Sequence, residues 1–123
     1  MQETRHELGL RTRREVLGDE HVDRARRDLD DFSREFDRLL NEYCWGATWS
    51  RSGITRRQRS LITLALLAAL NRPTEFETHV RAALRNGCTP DELRDTLIHI
   101  AVYAGVPAGF EAFRIARRVL QET

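Results

Sequence analysis

Lysine is absent from this chain, and all 20 of its basic residues are arginine. With no side-chain amine to add to a carbonyl, a Schiff-base mechanism is excluded. The arginine-only choice itself reads as GC-rich coding bias. A charge excess of either sign is also missing: 20 basic residues face 19 acidic ones, for a formal net charge of +1. A nucleic-acid footprint needs a strong basic surplus, so no nucleic-acid partner is expected. Cysteine is scarce. Cys44 and Cys88 lie far apart, form no CxxC, and show no zinc-ligand spacing with the four histidines, so no metal is expected. No apolar run approaches the ~20 residues needed to cross a bilayer, which excludes a spanning helix and a membrane partner. The N-terminal stretch is charged from Glu3 onward and has no leader signature. Free thiols then suit a cytoplasmic protein. No stretch alternates with period two, so no strand is expected and the fold class is all-α.

What the chain does have is Ser60 to Leu70, SLITLALLAAL, uncharged, free of proline and apolar on every side of its helical wheel. Such a helix is expected to be buried. It reads as the centre of a single domain over 1–123, a bundle of six to seven helices around a buried central helix at 55–71. Residues 1–30 form a helical arm and 31–123 the core. The first helix, over 2–17, is polar and closes at Gly18; a helix this poor in apolar residues lies across the body or across a partner subunit. Val22, Ala25, Leu29, Phe32, Phe36 and Leu39 recur at helical spacing, with a break at Asp30-Asp31. The second piece runs to Trp45, Gly46 ends it, and Ala47 to Gly53 form a loop. Thr55 can cap the central helix. Pro73 opens the next helix, Thr89 to Glu92 is a capping box with proline at N1, Gly105 stops that helix, and Pro107 opens the last.

Four groups of side chains carry chemical potential. Glu75 and His79 stand at i and i+4 on one helix face, with Arg72 one turn earlier. A carboxylate beside a histidine orients the ring and suits it to general acid work near neutral pH. A plain surface ion-pair ladder is the alternative, and from spacing alone the simpler one. Glu42, Cys44, Trp45 and Trp49 cluster at a helix end and the loop after it; the tryptophans either wall a ligand pocket or plug a core or interface. Arg51, Arg56, Arg57 and Arg59 crowd the start of the central helix. Arginine pairs with carboxylates through two parallel hydrogen bonds, so an acidic small molecule is implied, against a solvated charged turn. Thr96, His99 and Tyr103 make a polar stripe on an apolar helix, more in keeping with a core or subunit-contact histidine than a catalytic one.

The run from Glu42 to Ala116, with RSLITLALLAALNRP, HVRAALRNG and HIAVYAGVPAG inside it, closely resembles the γ-carboxymuconolactone decarboxylase family. VLGDEHVDRA, upstream, resembles the family's N-terminal part. The resemblance implies the all-helical fold of the alkyl hydroperoxidase D-like proteins, assembled as a homo-oligomer, commonly a hexamer, with a trimer as the alternative. It implies loss of CO2 from 4-carboxymuconolactone, a small carboxylated lactone, to give 3-oxoadipate enol-lactone in protocatechuate breakdown. No cofactor is implied, because the lactone takes up the electrons itself. The roles it suggests are His79 as proton donor oriented by Glu75, Arg51 and Arg57 on carboxylates, Trp45 and Trp49 as walls, and Glu42 as a second acid or base. The peroxidase branch of that superfamily carries CxxCxxxH. Aligned on His79, the two cysteines fall on Arg72 and Glu75, so the redox pair is missing here. A relative acting on another lactone or β-keto acid, a thiol peroxidase using Cys44 or Cys88, and a non-catalytic oligomeric binding protein are the other readings. Leu97 to Val106, apolar nearly all round, is expected at or beside a subunit contact, with the N-terminal helix reaching over a neighbour.

Overall fold

The computed structural model describes residues 2–122 and is predominantly helical. Seven α-helices and one π-helix account for the regular structure among the described residues, with no strand: α1 (Arg5–Leu17), α2 (Asp19–Arg26), α3 (Arg34–Leu39), a π-helix (Leu40–Trp49), α4 (Arg56–Ala69), α5 (Pro73–Arg85), α6 (Pro90–Ala104) and α7 (Val106–Gln121). The chain groups into two compact units, Met1–Thr55 and Arg56–Thr123.

In the first unit α1 starts at a capping box. Thr4 Oγ1 accepts from the Glu7 amide at 3.1 Å, and the Glu7 carboxylate accepts from the Thr4 amide at 3.3 Å. Such a cap is worth about 1 kcal/mol. The helix buries Gly9, Thr12, Arg13 and Val16, spaced i, i+3, i+4, i+7, and packs against the π-helix of its own chain. Glycine makes the approach possible. A Cβ on Gly9 would lie 1.6 Å from the Asn41 carbonyl oxygen, and one on Gly46 would lie 2.7 Å from the Arg5 carbonyl oxygen. Gly46 therefore does not end a helix; it sits buried inside the π-helix, where the α1 backbone passes. The expected loop from Ala47 is correspondingly shorter, because helical geometry persists to Trp49. The break at Asp30-Asp31 is real, but Phe32, Phe36 and Leu39 point to solvent rather than into a core, and Phe32 is 97% exposed.

In the second unit α4 packs on α5 and α6, and those two pack on α7. One apolar core joins them, built on Leu64, Phe76, Val80, Leu93, Leu97, Ile100, Ile115 and Val119. The helix expected at the centre of the fold is not buried all round. Only Ser60 and Leu64 of α4 are fully buried, while Ile62, Leu66 and Leu70 stand 50%, 57% and 63% exposed along one line. Its apolar wheel serves two surfaces, and only one is covered by its own chain. The Thr89–Glu92 capping box is present, with Glu92 N–H donating to Thr89 Oγ1 at 3.1 Å and Thr89 N–H to Glu92 Oε1 at 2.9 Å. Gly105, at φ +112°, separates α6 from α7 in a backbone region that L side chains avoid. A Cβ on Gly109 would lie 2.5 Å from Ala101 Cβ, so small residues set the α6–α7 spacing.

Candidate functional site

The first unit carries Glu42, Trp45, Trp49 and Arg51. Trp45 and Trp49 are both buried on the π-helix, with ring centroids 5.3 Å apart and planes tilted by 33°. The wide π turn brings residues four and five apart onto one side. The Ser50 amide closes this turn onto the Trp45 carbonyl at 3.2 Å, an i to i+5 bond. Hydroxyls reinforce it: Thr48 Oγ1 donates to the Tyr43 carbonyl at 3.1 Å and Ser50 Oγ to the Gly46 carbonyl at 2.5 Å. Glu42, half-buried in the first π turn, accepts from Arg38 Nε at 3.2 Å. Arg51 is exposed just past the helix, its amide bonded to the Thr48 carbonyl at 3.1 Å. Cys44 lies on the same helix. Burial pushes its thiol up, against a smaller opposing pull from the Arg13 charge.

The second unit carries Arg57, Glu75 and His79. Glu75 is exposed and His79 half-buried, one turn apart on α5, with the His79 Nδ1 shielded from solvent. Arg72 does not join them as an ion-pair ladder. Its Nη1 turns back to the Leu70 and Asn71 carbonyls at 3.1 and 3.3 Å, closing the C-terminal end of α4. Asn71 there adopts φ +58°, the left-handed conformation that asparagine tolerates. Arg57 is paired with Glu92, the residue that caps α6, its Nε 3.2 Å from Oε1. Cys88 is buried beside it, with Sγ 3.5 Å from the Arg57 carbonyl, and burial pushes this thiol up as well, with the Arg57 charge opposing. Both thiols are free, and both are poorer thiolates than an ordinary cysteine at neutral pH, so neither is set up as a peroxidase nucleophile. His99 is not a core histidine: it is exposed, stacked on the exposed Tyr103 at 4.7 Å.

A cleft of about 300 Å³ in this unit, bounded by Leu67, Ala68, Arg72, Phe76, Glu111 and Ile115, has no counterpart in the sequence patterns. Of the side chains singled out for chemistry from the sequence, Arg72 alone lines it. The hydrogen-bonded set of Arg13, Asp37 and Asn41 is also not apparent from the sequence. Their signal was the spacing of Gly9, Thr12, Arg13 and Val16, which marks a buried face once glycine is read as a close-approach residue. No cluster of three or more histidine, cysteine or acidic side chains able to hold a metal occurs among the described residues. No described helix is long and apolar enough to cross a membrane.

The sequence profile of the carboxymuconolactone decarboxylase family matches residues 34–118. A 4-carboxymuconolactone decarboxylase of Acinetobacter baylyi is 42% identical over 120 residues, 98% of this chain and 90% of that protein. Nitrosuccinic acid decarboxylase npaB of Metarhizium robertsii is 38% identical over 114 residues, 93% of this chain and 80% of that protein. A 4-carboxymuconolactone decarboxylase of Pseudomonas putida is 43% identical over 42 residues, 34% of this chain and 88% of that protein. Matched by the profile over most of its length, and aligned nearly end to end with two decarboxylases, the chain belongs to the carboxymuconolactone decarboxylase family.

Proposed function

We propose that this chain decarboxylates 4-carboxymuconolactone to 3-oxoadipate enol-lactone, a step of protocatechuate breakdown by the β-ketoadipate pathway. The observation that carries the reading is the 42% identity, across 98% of this chain, to the Acinetobacter baylyi protein of that name. The chemistry is self-contained. The bond from the γ-carbon to its carboxylate breaks and CO2 leaves. The electron pair runs through the ring double bond onto the lactone carbonyl oxygen, giving a dienolate. A proton then adds to the carbon beside that carbonyl, and the ring double bond shifts to the γ-carbon. Negative charge moves from a carboxylate to an enolate oxygen, so the protein must desolvate the first and stabilise the second.

Within this proposal His79 delivers the proton to carbon and Glu75, on the same face of α5, orients it. Trp45 and Trp49 supply the apolar wall that weakens hydration of the departing carboxylate. Arg51 holds a substrate carboxylate, and Glu42 is a second acid or base. Arg57 takes a substrate carboxylate only by exchanging it for the Glu92 carboxylate it already holds. The proposal includes a cytoplasmic location and a closed homo-oligomer, a hexamer with a trimer as the alternative. Exposed apolar stripes support assembly: Phe32, Phe36, Leu39 and Tyr43 in the first unit, and Ile98, Val102, Tyr103, Val106 and Phe110 in the second. Faces of this kind mark interfaces.

The Metarhizium robertsii relative supports a second substrate class. Nitrosuccinic acid and the lactone share a pattern. One carbon bears the leaving carboxylate, a CH2–carboxylate arm, and a group that accepts an electron pair: a nitro group in one, the unsaturated lactone in the other. Groups arranged for one acid suit the other. The test is to offer both acids to the purified protein and follow CO2. Faster release from the lactone supports the main reading, and release from nitrosuccinate alone replaces it with the second.

A further inference from the structure

The π-helix carries Glu42, Trp45 and Trp49, and a ten-residue run of this geometry calls for an external restraint. π turns are rare, occur mostly singly, and favour functional sites. The first unit has little apolar core to impose the geometry. Val16, Val22, Trp45 and Trp49 are its buried apolar side chains among the described residues. In place of a larger core stands a buried polar node. Arg13 on α1 and Asp37 on α3 are each 8% exposed, and Asn41 in the first π turn is fully buried. Arg13 Nη1 donates to Asp37 Oδ1 at 2.9 Å and to Asn41 Oδ1 at 3.0 Å. Asn41 Nδ2 donates to Asp37 Oδ2 at 3.3 Å, and Arg26 Nε, from α2, reaches the same oxygen at 3.2 Å. One carboxylate thus ties α1, α2, α3 and the π-helix together.

We propose that the Arg13–Asp37–Asn41 node is a positioning device for the reaction, fixing the register of the π-helix and so the placement of Trp45, Trp49 and Glu42. The inference rests on the decarboxylase reading, which names those three as substrate-facing groups. None of the node residues is itself a catalytic residue. A buried charge stripped of its partner is strongly unfavourable, so the node holds as a whole or releases as a whole. Apolar packing tolerates sliding, whereas a shared hydrogen bond to a single nitrogen does not. Arg13 makes both of its bonds through Nη1, and its Nε finds no hydrogen-bond partner among the described residues. A lysine ammonium can therefore reproduce what Arg13 does here, although the two are not interchangeable at bidentate sites.

Both tryptophans of the protein lie on the π-helix, so near-UV circular dichroism of their coupled rings reports on that segment alone. The experiment compares wild type, Arg13→Met, Arg13→Lys and Asp37→Asn in turnover of 4-carboxymuconolactone. Measurements are made at a temperature where far-UV dichroism shows each protein fully helical. Arg13→Met and Asp37→Asn should lose the tryptophan couplet and lower kcat about 10- to 100-fold, the scale of a misplacement near 1 Å, with a smaller change in KM. Arg13→Lys should restore both signals. If Arg13→Met does not fold, Asp37→Asn, nearly isosteric, carries the same comparison. Wild-type kcat in Asp37→Asn, or a lost couplet with kcat unchanged, overturns the positioning role. A wild-type protein that turns over no lactone overturns the decarboxylase reading, and this proposal with it.

Discussion

At the scale of single residues, the proposed chemistry rests on a few side chains whose surroundings differ sharply. His79 is half-buried with Nδ1 shielded, while Glu75 one turn away is exposed. If His79 is the proton donor, His79→Ala should lower kcat about 10²- to 10⁴-fold and change KM much less. Steady-state kinetics checks this, and a variant that keeps its turnover removes His79 from the mechanism. Asp37 gives a pH prediction. Burial pushes its carboxyl up, but the hydrogen bond and charge from Arg13, with those of Arg26, outweigh it and leave the group below the ordinary aspartate range. A folded-state pKa held down means stability that is present above the unfolded value, near 3.8, and is lost as pH falls through the lower folded value. His21 is lowered by burial and by the charges of Arg24 and Arg13, so it also favours the folded state at higher pH, beginning to lose its contribution as pH drops below the ordinary histidine value. The groups facing Asp37 are Arg13 from α1, Arg26 from α2 and Asn41 from the π-helix. The tryptophan near-UV signal should therefore survive at pH 4 and fall only below it, and Asp37→Asn should remove that last acid step. A wild-type signal already lost at pH 5 contradicts this. Glu75 and His79 were legible in the sequence because i, i+4 spacing fixes a shared face. The Arg57–Glu92 pair, 35 positions apart, was not, because tertiary packing rather than local spacing creates it.

At the scale of elements, the chain's punctuation was readable and its helix type was not. Thr89-Pro90-Asp91-Glu92, Gly105 and the Asp30-Asp31 break fall where their local chemistry puts them, since caps and turns are decided within four residues. Gly46 reads as a helix stop because a glycine that ends a helix and a glycine that lets another backbone pass look alike in sequence. The π-helix left no local mark because its geometry depends on α1 and on the Arg13–Asp37–Asn41 node. Close packing gives a direct test. Gly9→Ala places a methyl 1.6 Å from the Asn41 carbonyl oxygen, whereas a Cβ on Gly53 meets nothing within 4 Å. Gly9→Ala should destabilise by about 1–3 kcal/mol or more, the cost of overpacking, and Gly53→Ala should be far milder. Urea denaturation followed by tryptophan emission measures both, and equal midpoints for the two variants would remove the α1 contact from the account.

At the scale of the whole molecule, the all-α class and the family were legible. The period of the apolar residues excludes strands, and RSLITLALLAALNRP with HIAVYAGVPAG is a specific tract. What was not legible was which apolar faces the chain covers itself. An all-round apolar wheel on α4 predicts burial, yet Ile62, Leu66 and Leu70 stay exposed. The Leu97 to Val106 stretch likewise splits, with Leu97 and Ile100 in the core and Ile98, Val102, Tyr103 and Val106 outside. Periodicity reports that a face is apolar, not whether it meets the same chain or another copy. Since α1 buries its face against the chain's own π-helix, assembly should depend on the exposed stripes more than on the arm. Sedimentation should show a closed oligomer at micromolar concentration, and Val102→Asp with Phe110→Asp should reduce it to smaller species. A monomeric wild type contradicts this. The central claim is the reaction, and it is tested most directly by incubating the purified protein with 4-carboxymuconolactone and measuring CO2 against lactone consumed. One CO2 per lactone, with 3-oxoadipate enol-lactone as the product, is the predicted result; no release at micromolar protein would contradict it.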